Sequence, residues 1–83
     1  IMPYIRPELR PILDDIVAHM YQNDVKANGA LNYILFAYCK RYTEPGYNAY
    51  KNFIGELRQC AVEIERRLLA PLEDRKIEEN GDV

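Results

Sequence analysis

Apolar positions recur along this chain at intervals of three and four, the spacing that gathers side chains on one face of an α-helix. In PELRPILDDIVAHMY, residues 7–21, Leu9, Ile12, Leu13, Ile16, Val17 and Met20 fall on one side, while Arg10, Asp14, Asp15 and His19 share the other. Proline has no N–H to donate, so Pro11 is accommodated only in a first turn, and the spacing predicts a helix over 8–23 that opens just before it. The Asn, Asp and Gly content of NDVKANGA, residues 23–30, predicts a loop, with Asn28 as N-cap of the next helix.

The second predicted helix, 30–42, reads ALNYILFAYCKRY and is apolar on nearly all sides, with Asn32, Lys40 and Arg41 as its strongly polar residues. A helix that is apolar all round is buried all round, and two neighbours in so short a chain scarcely cover it. Part of it is therefore expected to face another subunit. Pro45 and Gly46 mark a turn, after which a third helix runs over 47–70. Its residues Tyr50, Ile54, Leu57, Ala61, Ile64 and Leu68 alternate by four and three, the rhythm of a coiled-coil seam. At 1.5 Å per residue this helix is about 36 Å long and overhangs the other two. Phe53 and Cys60 widen its stripe, and Glu63 precedes Arg67 by four residues, the favourable order for a surface ion pair.

Pro71 is expected to end or kink the third helix and to stand near the start of a short tail helix over 71–80. Glu73 and Asp74 then lie at that helix's positive end, Leu72 and Ile77 anchor it, and Asn80 with Gly81 stops it. The fold expected is all-α: a three-helix bundle with a long third helix, kinked or broken at Pro71, and a short C-terminal helical tail. The whole chain, residues 1–83, reads as one domain without internal repeats.

Size sharpens the picture. A chain of 83 residues sits near the limit below which one core supplies only a few kcal/mol. It is nevertheless 48% hydrophobic and carries 7 tyrosines, so a protein–protein interface, and hence a homo-oligomer, is expected. A formal charge of −2 argues against a protein built to neutralise nucleic-acid phosphates. No apolar run reaches the length of a membrane span, and no secretory leader opens the chain, which points to the cytoplasm; Ile1 reads as an extra residue ahead of a natural start at Met2. Cys39 and Cys60 lack metal or redox spacing and read as buried free thiols, with a disulfide between their two helices as the alternative.

Candidate chemistry is sparse. His19, the sole histidine, follows Asp15 by four residues and reads as an exposed ion pair. The carboxylate pairs are those of a solvated face, serine is absent, and the 4 glycines are isolated, so no nucleophile constellation or phosphate loop can be assembled. The reading is a protein without catalytic residues, metal or cofactor. Tyr38, Tyr42 and Tyr50 suit core or seam positions, whereas Tyr21, Tyr33 and Tyr47 lie nearer helix edges, where a ring offers a stacking face and a hydroxyl. Arg66, Arg67, Arg75 and Lys76 flank Pro71, and a chain folding back there would bring them to one spot with Glu73. Guanidinium groups so gathered hold carboxylate or phosphate by two points; the alternative is a solvated surface paired internally.

The opening MPYIRPELRPILDD, the middle GALNYIL and the close APLEDRKIEENGDV resemble a family of short uncharacterised bacterial and phage proteins. Its members begin MPYI, carry G-x-LNY and end near PYEDRKIEENGDV; Leu72 stands here where the family has tyrosine. The resemblance covers nearly the whole chain and implies that Asn32, Tyr33, Glu73, Asp74, Arg75, Lys76, Glu78, Glu79, Asn80, Gly81 and Asp82 are family features. Many are polar, where packing does not explain their identity. By analogy with phage oligomers that sequester nucleotide signals of host immunity, it implies an assembly holding a small anionic or nucleotide-derived ligand at a subunit junction. In that reading Tyr33 or Tyr47 stacks on a ring, Asn32 or Asn48 reads polar edges, and Arg66, Arg67, Arg75 or Lys76 holds phosphate, with Glu73, Asn80 and Asp82 completing the tail's share. The competing expectation is a protein–protein adaptor or inhibitor that docks through its C-terminal tail on a host or phage protein.

Overall fold

The computed structural model describes residues 5–81, and Asp82 of the candidate set lies outside them. The described chain is all-helical, with three helices of which the third is 34 residues long. It divides between Tyr50 and Lys51 into two units.

The first unit opens with a 3-10 turn, Pro7–Leu9, which leads into α1, Arg10–Gln22. Pro11 occupies the first turn of α1, where its missing N–H costs nothing. The Arg10 guanidinium folds back and donates from Nε and Nη2 to the Ile5 carbonyl at 3.3 and 3.2 Å. At the other end Asp24 adopts a left-handed φ of 62°. The Val25 N–H then reaches the Met20 carbonyl at 3.0 Å and the Asp24 N–H reaches that of Tyr21 at 3.1 Å, the paired bonds of a Schellman termination. Asn23 Nδ2 donates to the His19 carbonyl at 2.8 Å, and Lys26 pairs with Asp24 at 3.2 Å. Exposed side chains four apart stay in water unless geometry favours them, and among the described residues no ion pair joins Asp15 to His19, contrary to expectation.

Helix α2, Ala30–Tyr42, has Gly29 rather than Asn28 as its N-cap. Gly29 sits at φ 108°, a conformation open to a residue without Cβ. Asn28 still contributes: its Oδ1 accepts from the Ala30 N–H at 3.3 Å, an Asx-type turn one residue ahead of the cap. The helix is not buried all round. Leu31, Tyr33, Ile34, Phe36, Tyr38 and Tyr42 are exposed, while Leu35, Ala37 and Cys39 are half-buried. Tyr38 and Tyr42 are therefore surface rings rather than core ones, packed against each other with centroids 5.5 Å apart.

Helix α3, Tyr47–Ile64, begins with the Tyr50 N–H bonded to the Gly46 carbonyl at 3.1 Å. It runs without interruption into a π-helical turn, Glu65–Leu69, and then α4, Ala70–Asn80. The π character is explicit in the Ala70 N–H, which bonds the Glu65 carbonyl five residues back. Pro71 stands next, in the first turn of α4. Its ring would crowd the carbonyl four residues earlier in a regular α-helix; one widened turn absorbs that conflict, so the expected kink or break takes the form of a register shift and the tail continues the third helix. At Gly81, φ 80°, the N–H closes the last turn on Ile77 at 2.8 Å, and Asn80 Nδ2 donates to the Lys76 carbonyl at 3.2 Å.

Among the described residues none is fully buried in either unit. Cys39 and Cys60 are free thiols; Cys60 is exposed on α3 rather than buried.

Candidate functional site

The candidate residues fall into two groups. Asn32 and Tyr33 stand in the first turn of α2, and Tyr47 and Asn48 open α3, all in the first unit and all exposed. Arg66 and Arg67 lie in the π turn, while Glu73, Arg75, Lys76 and Asn80 lie along α4. In the second unit the helix carries straight on past Pro71, so Arg75 is roughly 13 Å further along the axis than Arg66 at 1.5 Å per residue. The four cations therefore do not gather at one point with Glu73, because no fold-back occurs.

What the second unit does bring together is Arg66 and Arg67 on Glu63. Arg66 Nη2 stands 3.0 Å from Glu63 Oε1, and Arg67 Nη1 stands 3.5 Å from Oε2. The carboxylate side chain is only 15% exposed, the two guanidinium groups 65% and 60%. The spacing i, i+4 makes the Arg67 pair legible in sequence; the Arg66 pair uses i, i+3 on the same face. Chemically, one carboxylate is shared by two guanidinium groups, leaving a net charge of +1, and an incoming phosphate would compete with Glu63 for both forks. Asn80 is similarly engaged, its amide spent on closing the helix end.

One feature lay outside the candidate set. The turn after α2 encloses an open depression of about 340 Å³ lined by Lys40, Arg41, Tyr42, Thr43, Glu44 and Pro45. Its signal in the sequence is the basic end of α2 followed at once by turn residues. Among the described residues no group of three or more His, Cys, Asp or Glu side chains is arranged to hold a metal ion, and no helix is long and apolar enough to cross a membrane.

The larger feature is apolar. Ile54, Leu57, Ile64, Leu69 and Leu72 are all exposed along one helical column; Val62, Leu68 and Ile77 are exposed as well, off that column. Side chains of this size left in water represent surface still available for burial against another molecule.

These features define a helical protein built of three helices, the third one long and carrying an exposed apolar stripe. The chain belongs to the family described as Domain of unknown function (DUF6899), whose model matches residues 2–83. No curated protein and no solved structure matches it.

Proposed function

We propose that this protein is a non-catalytic docking module, an adaptor or inhibitor that assembles with copies of itself and offers its C-terminal helix to a protein partner. The observation that carries the reading is the exposed apolar surface of its helices, which continues through Leu69, Leu72 and Ile77 into an ordered tail. An apolar row flanked by Glu73, Arg75, Lys76 and Glu78 is the usual make-up of a helix that lies in a partner's groove. The free thiols of Cys39 and Cys60 suit a reducing compartment, the cytoplasm.

The test is affinity capture with the full chain and with a variant carrying Ile77→Asp. The reading expects a stoichiometric protein partner that the variant loses while keeping its helicity. Equal capture by both chains counts against a role for the tail.

A second reading, a small anionic or nucleotide-derived ligand held at a subunit junction, draws on the ring exposure of Tyr33, 65%, and Tyr47, 79%, together with Arg75 and Lys76. Native mass spectrometry separates the two: an oligomer of bare chains supports docking, and an oligomer carrying a few hundred extra daltons released on denaturation supports the ligand. Thermal stability unmoved by cyclic and ADP-ribose-type nucleotides would sink the second reading.

A further inference from the structure

The seam of the third helix is not broken at Pro71 but rephased there. Ile54, Leu57, Ala61 and Ile64 alternate by three and four, and the same alternation next calls for residues 68 and 71. Position 71 is proline. The π turn over Glu65–Leu69 adds one residue to the helix, so that 69 and 72 take those places instead. Both are leucine, and Leu69 is 45% exposed against 67% for Leu68, which has left the stripe. The result is an unbroken apolar row, Ile54, Leu57, Ala61, Ile64, Leu69 and Leu72, about 27 Å long at 1.5 Å per residue.

The residues beside this row carry a second pattern. One step past each alternate seam position stand Lys51, Arg58, Glu65 and, after the inserted residue, Glu73. The flank is positive in its first half and negative in its second. Such an arrangement is self-complementary when two copies lie antiparallel, since flank charges in coiled coils set partner and orientation.

We propose that a second copy of this chain docks antiparallel on the seam, with the two-fold axis passing near Val62 and Glu63. In that register Lys51 meets Glu73 of the second copy, and Arg58 meets Glu65 of the second copy, each pair occurring twice. The same register stacks Ile54 on Leu72, Leu57 on Leu69 and Ala61 on Ile64, so these layers are apolar, while one layer further out Tyr50 lies opposite Lys76. It also overlaps the two 34-residue helices along their length, with neither end left over. A parallel alignment sets Arg58 against Phe53 and Glu65 against Cys60, and forfeits those matches. The small side chain of Ala61 beside the axis lets the two backbones approach closely.

This inference rests on the self-association part of the docking reading and specifies its surface. The test is sedimentation of the full-length protein over a range of concentrations, with circular dichroism to confirm that each variant stays helical. The native chain is expected to dimerise. Arg58→Glu and Glu65→Arg are each expected to raise the dimer Kd about tenfold or more, because each turns two attractive pairs repulsive. The double variant R58E/E65R, which restores opposite charges across the interface, is expected within about threefold of the native Kd. A native chain monomeric at every concentration overturns both the register and the self-association reading. A dimer indifferent to the single reversals, or a double variant no better than the singles, overturns the antiparallel register and leaves self-association standing.

Discussion

From Gln22 to Ala30 the chain leaves one helix and enters another through a loop in which backbone and side-chain bonds hold nearly every step; from Lys51 to Asn80 it never leaves the helix, although a proline stands in its path. The first segment holds no proline, yet it turns, because Asp24 and Gly29 adopt positive φ and the Schellman bonds satisfy the last carbonyls of α1. The second holds Pro71 and continues, because a single π turn removes the clash while the apolar stripe on that helix gains from staying in phase. Helix ends here are made by residues that supply an alternative backbone path. A proline without such a path only shifts the register.

The largest expected effect comes from placing a second proline where no adjustment is prepared. Gln59→Pro in α3 is expected to cost roughly 3 kcal/mol or more and to reduce helical circular dichroism, whereas Pro71→Ala keeps or raises it. If both prolines were tolerated alike, the π turn would not be a specific response to Pro71.

Glycine gives the next contrast. Gly29 is at φ 108°, so Gly29→Val is expected to destabilise the first unit by about 1–3 kcal/mol in urea denaturation. Gly55 lies within α3 with open space where a Cβ would stand, and Gly55→Ala is expected to stabilise by about 0.5–1 kcal/mol. Effects of the same sign at both sites would contradict the division between a turn held by special φ values and an uninterrupted helix.

The smallest effect concerns the charge cluster. Glu63→Gln is expected to lower stability by less than about 1 kcal/mol, since its two partners are largely solvated. Adding salt should shrink the difference between native and variant chains, because screening weakens exposed pairs first. A variant as stable as the native chain at low salt would show that the cluster orients Arg66 and Arg67 without stabilising the helix.

Much of this was open to reading from residues alone. The helical character of the chain and the length of its third helix come from intervals of three and four that no strand shares. The stop at Asn80 and Gly81 and the role of Pro11 in a first turn are matters of local backbone chemistry. Glu63 with Arg67 was legible because i, i+4 neighbours meet on any helix. The gathering of Arg66, Arg67, Arg75 and Lys76 was not legible, since it depended on whether the chain turned back at Pro71. That the chain itself leaves much of α2, with Tyr38 and Tyr42, exposed was legible only in part: hydrophobicity marks a face that gains from burial, and does not say which molecule covers it.

The division therefore tracks physical range. Interactions within four residues, namely periodicity, first-turn prolines and end-capping glycines, are written in the order of side chains, and they suffice to specify three helices and the phase of the seam as far as Ile64. Accommodation of Pro71 balances a steric clash at one carbonyl against the continuity of an apolar stripe over many turns, a balance that only the assembled helix resolves. The folded chain resolves it with one π turn, which sets Leu69 and Leu72 in line with Ile54 and Ile64 and holds Arg66 and Arg67 on Glu63.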